Sequence, residues 1–227
     1  MKSFLNILLG LSVVFLGYIC VMSVLTPIQF EEEKIARDQE IIKSLINIRT
    51  AQVEYRAVKG RYTDDFDSLF IFLREAKMKT VKKEGSLTDA QLEDGLTEAK
   101  AVKIIKKGNL REIKAKGLEN FRRDTVYSDM IESLYKGLYD HETIVKLAEI
   151  PFSDNEKFEM EVNNDFVNNS GISIPLFEAR ASFDSYLFDL NRQERINTKD
   201  VAVKLDRYPG LKVGSVVEPN NNGGNWE

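Results

Sequence analysis

The 227-residue chain holds one cysteine and one histidine. With Cys20 alone no intramolecular disulfide can form, and no Cys/His cluster is available for zinc. A domain outside the cytoplasm would therefore have to hold together through its core alone. His141 sits in Tyr139-Asp140-His141-Glu142. No neighbouring nucleophile or substrate pocket nominates it as a general base, so it reads as a solvated surface residue. Phosphate-binding, dinucleotide-binding, nucleophile-elbow and His-Glu-x-x-His motifs are all missing. Glu31, Glu32 and Glu33 form a run rather than a coordination pattern. Asp154-Asn155-Glu156 and Asn163-Asn164-Asp165 lack the spacing and glycine of a calcium loop. Asn168-Asn169-Ser170 fits a glycosylation triplet, a pattern too short to be specific. No catalytic, cofactor-binding or metal-ligating residue is nominated, no cofactor is implied, and an enzyme is not expected.

Charge is also missing from the first part of the chain. Phe4 to Leu25 is an apolar run without a single Asp, Glu, Lys or Arg. As a helix it would span about 33 Å, enough for a bilayer's hydrocarbon core. The run is too long for the apolar region of a cleavable signal, and Val21-Met22-Ser23 and Ser23-Val24-Leu25 make poor cleavage sites. Ile19 is not the small residue that a lipid-modified Cys20 would need before it. An uncleaved signal anchor over residues 1–27 is the expectation. Its orientation is pulled both ways. Lys34, Arg37 and Lys43 favour a cytoplasmic domain behind it, whereas the short N-terminal tail and the three glutamates favour the opposite.

The whole chain is 43% hydrophobic and 10% aromatic, enough for the part beyond the apolar run to bury a real core. Net charge is −4, unevenly spread: Arg74 to Arg123 carries 14 Lys and Arg against 8 Asp and Glu, a local +6. Such polarity suits head-to-tail contacts or an anionic partner, or simply two solvated faces of opposite sign. Nucleic acid is not an expected partner, because acids dilute the basic stretch and no recognition motif accompanies it.

After a break at Thr26-Pro27, helical periodicity predicts a stem over residues 28–59. Ile35, Ile42, Leu45, Ile46, Arg49, Val53 and Ala57 form its apolar stripe, broadened by Ile41, Ile48 and Tyr55. Lys59-Gly60 stops it. A soluble domain is expected over residues 60–218, and a flexible tail over residues 219–227. Thr63 or Asp64 would cap a second helix carrying Phe66, Leu69, Phe70 and Leu73. Thr80 to Gly85 predicts a strand and turn. Thr88 and Gln91 make a capping box for one helix reaching Lys107, with Gly108 as its stop. Asn109 to Asn120 reads as a connector, and Arg123 to Ser128 as a strand. Alternation predicts strands at Phe158–Val162 and Phe177–Phe183, with further candidates at Val201–Leu205 and Leu211–Val217. Helices followed by a strand meander indicate an α+β fold: an N-terminal transmembrane helix, a helical stem and a small antiparallel sheet.

That layout, with Leu45-x-x-Ile48-Arg49-x-Ala51-Gln52-x-x-Tyr55, then Lys59-Gly60-Arg61-Tyr62-Thr63 and Leu69, resembles the type IV pilins and type II secretion pseudopilins. The resemblance covers about residues 1–73, and Gly224-Asn225-Trp226-Glu227 is similar to some pseudopilin tails. Members of that family carry a leader cut after glycine and a glutamate early in the apolar segment. This chain has no Gly-Phe junction and no acid from Phe4 to Leu25. The resemblance implies a single-pass protein of the bacterial inner membrane, its head extracytoplasmic. Its role would be structural or in assembly, through other envelope proteins or self-association along the stem. A fixed anchored module fits these departures better than a fibre subunit. A membrane-tethered ligand-binding or sensory module is the alternative.

Overall fold

A computed structural model describes residues 2–227, with side chains from residue 6. In chain order the elements are α1 (Lys2–Lys59), α2 (Phe66–Glu75), β1 (Lys77–Glu84), α3 (Asp89–Glu93), α4 (Glu98–Lys107) and α5 (Leu110–Ala115). Then come β2 (Arg122–Asp129), α6 (Met130–Tyr135), a 3-10 helix (Thr143–Ala148), β3 (Glu159–Asn163), β4 (Leu176–Ser182), α7 (Phe183–Tyr186), α8 (Arg192–Lys204) and β5 (Gly210–Gly214). The class is α+β. These elements form two compact units rather than the single soluble domain read from sequence: residues 1–73 with 140–227, and an inserted unit, residues 74–139.

The first unit is built on α1. Residues 6–25 are exposed throughout, and their mean hydropathy is that of a membrane span or signal anchor. Met1, and the side chains of Lys2 and Phe4 assigned to this segment, lie outside the described residues. The expected break at Thr26-Pro27 is absent: the helix runs through Pro27. Pro27 has no N–H to donate to the carbonyl one turn back, a local loss that the long helix on either side absorbs.

Beyond this apolar segment, one face of α1 packs on a three-stranded antiparallel sheet of order β3-β4-β5. The buried residues are Phe30, Arg37, Ile41, Leu45, Ile48, Ala51, Gln52 and Tyr55. This face is rotated from the predicted stripe, for Ile35, Val53 and Ala57 are exposed. Periodicity marked a broad apolar arc, of which only the Ile41–Leu45–Ile48–Tyr55 side is buried, Tyr55 meeting Phe72 of α2 edge-on at 5.1 Å. Phe177, Ala179 and Ala181 of β4 and Leu211 and Val213 of β5 are buried with it. The outer face of β4 carries charge instead. Arg180 reaches Glu159 and Glu161 across the ladder, and Glu178, only 6% exposed, lies between Arg180 and Lys212.

Several local expectations shift. Asp65, not Thr63 or Asp64, caps α2, accepting from the Ser68 amide at 2.8 Å. Val201–Lys204 is the last turn of α8, with Leu205 as its C-cap, and not a strand. Asn191 accepts from the Gln193 and Glu194 amides at the start of that helix, and Val201, Val203 and Leu205 stay exposed. Residues 219–227 are tied down. Asn225 exchanges backbone and side-chain bonds with Lys212 and Gly210, and the Gly214 amide donates to the Gly223 carbonyl. Gly214 has φ +77°, and a Cβ there would strike the Phe177 carbonyl, so only glycine fits beside β4.

The inserted unit is a two-stranded antiparallel ribbon, β1 with β2, running from Lys77↔Asp129 to Glu84↔Arg122. Its far end carries α3, α4 and α5 around Leu96, Ala101, Leu118 and Phe121. The helix predicted from Thr88 to Lys107 is two helices. The capping box at Thr88 and Gln91 is present, but Gly95 turns left-handed, and the buried Leu96 donates back to the Gln91 carbonyl. Thr97 then caps α4, and Gly108 ends it as expected. The supposed connector contains α5, capped by Asn109.

Candidate functional site

The residues that carry the pilin resemblance converge where α1 ends. Gly60 turns left-handed and donates to the Arg56 carbonyl at 2.8 Å. The fully buried Gln52 amide then reads the returning chain, donating to the Thr63 carbonyl at 2.6 Å and accepting from the Thr63 amide at 3.3 Å. Asn164, just after β3, does the same for Tyr62, accepting from its amide at 2.9 Å and donating to its carbonyl at 3.2 Å. The Tyr62 ring lies 4.8 Å from Phe177 of β4. Its hydroxyl meets Arg56 and Asn222. Arg49 binds Glu227 at 2.7 Å, so the last residue closes on the stem. Leu45, Ile48, Ala51 and Tyr55 are buried beneath. These are positioning contacts, joining helix end, sheet and C-terminus into one lock.

A second polar assembly holds the lower stem, three turns beyond the apolar segment. Arg37 makes two bonds to Asp189, at 2.6 and 2.9 Å, a third to the Tyr186 carbonyl at 2.8 Å, and one to Glu33. Its guanidinium also faces the Phe152 ring at 5.0 Å. The Tyr186 hydroxyl donates to Asp38 at 2.7 Å, and Lys34 binds the same carboxylate. Burial, with the Asp38 charge beside it, pushes the Tyr186 hydroxyl well above its ordinary range. The Arg37 hydrogen bonds, set against burial of Asp189 itself, hold that carboxyl below its usual value.

A depressed carboxyl pKa contributes stability that is complete above the unfolded value near 4 and is lost as pH falls through the folded value. The stability gap between wild type and Asp189→Asn should therefore be constant above about pH 5 and close as pH falls toward about 2. Denaturant titrations at a series of pH values measure it; a gap that widens on acidification would refute this role of Asp189.

The inserted unit offers the candidate interaction surface. Two clefts of about 290 and 360 Å³ adjoin each other, sharing Ile105, Phe121 and Arg122. Their apolar floor includes Val102, Ile113 and Leu118, with Leu110 79% exposed at the edge. Lys106, Lys114, Arg122 and Arg123 put cations around it, against Asp124 and Glu119. The Arg123 side chain is only 7% exposed. It donates to the Glu84, Gly85 and Arg122 carbonyls and to Glu98, and stacks 3.9 Å from Phe121. Its Nε is buried without an acceptor.

Sequence reasoning found the basic stretch but not the groove, because the groove exists only once α4, α5 and the start of β2 come together. His141 is exposed at the start of the 3-10 segment. The neighbouring Asp140 carboxyl caps that turn, bonding the Thr143 and Glu142 amides. Glu31, Glu32 and Glu33 are exposed on α1. No family model, curated protein or solved structure matches the chain. A long apolar N-terminal helix followed by a small antiparallel sheet is compatible with a pilin-like fold.

Proposed function

We propose that this chain is a membrane-anchored, pilin-like protein of the bacterial envelope that works by protein–protein contact rather than by catalysis. One observation carries the reading: a single helix has an exposed apolar segment at one end and a face buried on a three-stranded sheet at the other. The Arg37 and Gln52 assemblies support it. They fix the sheet rigidly on the stem, which suits a part that transmits position more than one that opens around a substrate. The apolar segment would lie in the inner membrane, with the rest outside the cytoplasm.

Cross-linking in intact cells with a membrane-impermeant amine reagent tests this. The expected result is a larger band, or a ladder at multiples of the chain's mass. A monomer whose lysines are modified would favour the tethered ligand-binding module instead. Lysines that stay unmodified until the inner membrane is broken would place the domain in the cytoplasm and end the envelope reading.

A further inference from the structure

The inserted unit and the unit it interrupts carry opposite charge. Residues 74–139 hold 15 Lys and Arg against 11 Asp and Glu, a net +4, which leaves −8 for the rest of the chain. The negative charge has a focus. From Asp140 to Asp165 there are eight acids against Lys146 and Lys157, a net −6. All eight acids are exposed. Exposed apolar side chains stand among them, Val145 and the 46% exposed Phe152, the latter between Glu149 and Asp154. This run therefore has the chemistry that the groove of the inserted unit would take: apolar groups flanked by carboxylates, against an apolar floor rimmed by cations. Lys106 and Lys114 on that rim are exposed and make no ion pair among the described residues.

We propose that the groove around Ile105, Phe121 and Arg122 binds the acidic Asp140–Asp165 run of a second copy of this chain. Each copy offers one groove and one acidic run, and the contact is read as head-to-tail, the groove of one copy on the acidic run of the next. Such a contact propagates from copy to copy, whereas reciprocal pairing about a two-fold axis would stop at a dimer. Anchoring all copies in one membrane raises their effective concentration, so a weak contact suffices. Attraction between opposite net charges steers the approach, while the apolar groove sets the register. This rests on the reading of the protein as an assembly component and specifies its interface.

The test is sedimentation of the full chain in detergent micelles at low salt. Wild type should form a concentration-dependent series of species. Raising the salt from about 0.05 M to about 0.5 M should weaken it about tenfold or more, as screening shortens to a few ångströms. Lys106→Glu with Lys114→Glu should abolish the series, and so should Asp154→Lys with Glu156→Lys. Mixing the two variants should restore association, because each then meets an opposite charge at both contacts. Lys106→Gln with Lys114→Gln is the milder pair, should the reversal disturb the ends of α4 and α5. If mixing restores nothing, or either variant associates like wild type, the interface is wrong. Loss of binding to phosphatidylglycerol vesicles in the lysine variants alone, without self-association, would give the groove to a lipid surface and overturn the proposal. In-cell cross-links that survive both charge reversals would keep the assembly reading while removing this interface.

Discussion

Phe177→Ala is expected to lower the unfolding free energy by about 3–5 kcal/mol, the range for truncating a fully buried aromatic ring. Phe177 is inaccessible on the central strand of the three-stranded sheet, where β4 faces α1. Its ring is the contact partner of Tyr62, whose backbone is clamped by Asn164. The surroundings cannot collapse into the space, because Gln52 and Asn164 fix the turn above by directional hydrogen bonds. Phe177→Leu keeps most of the volume and should cost about 1.5 kcal/mol or less. Guanidinium unfolding of the full chain in micelles, followed by circular dichroism, gives both values. A cost below about 1 kcal/mol for the alanine variant would mean that the sheet does not pack on the stem as described.

Arg37→Ala should be the next most damaging change, at about 2–3 kcal/mol. Removing one partner of a buried ion pair commonly costs about 3–5 kcal/mol. The figure is smaller here because Asp189 is 48% exposed and water can take over its carboxylate. What water replaces less well is the bond to the Tyr186 carbonyl and the packing against Phe152. Arg37→Lys keeps the charge but cannot make the forked contact, so it should recover only part of the loss. Equal stability of the lysine variant and wild type would show that charge alone matters. Because Arg37 ties residues 186–189 to the lower stem, the alanine variant should also speed proteolysis near Leu187–Asn191. That readout separates a local release from general destabilisation.

Some features of this protein were written locally and could be read without coordinates. The apolar segment needed only its length and lack of charge. The α1 stop at Gly60, the capping box at Thr88 and the glycine ending α4 are short-range devices, each built from residues within a few positions. The alternation of Phe177, Ala179 and Ala181 with charged neighbours set β4, because a strand with one face on a helix must alternate. The α+β class followed from the order of these pieces. The motif from Leu45 to Thr63 pointed to a helix end that turns back on itself, and Gln52 is the residue that makes it do so.

Other features depended on partners far along the chain. Which side of the broad apolar arc on α1 would be buried was decided by the sheet, so Ile35 and Val53 stayed exposed while Ile41 and Ile48 were covered. The tail, glycine- and asparagine-rich, is fixed by Lys212 and Gly210, 13 and 15 positions before Asn225, and by Arg49, 178 positions before Glu227. Val201, Val203 and Leu205 alternate like a strand, yet Asn191 caps a helix that runs to Lys204, with Leu205 at its C-cap. Arg37 looked like one more charge on a solvated stem until Asp189, 152 positions away, met it. The division into two units has the same origin. Nothing local marks Arg74 or Tyr139 as a boundary; the ribbon pairing of Lys77 with Asp129 does, by closing a loop whose contacts are then made mostly within itself. Short-range chemistry determined the elements and their ends, and long-range pairing decided which faces were covered, because burial is a property of two surfaces and a sequence window shows only one.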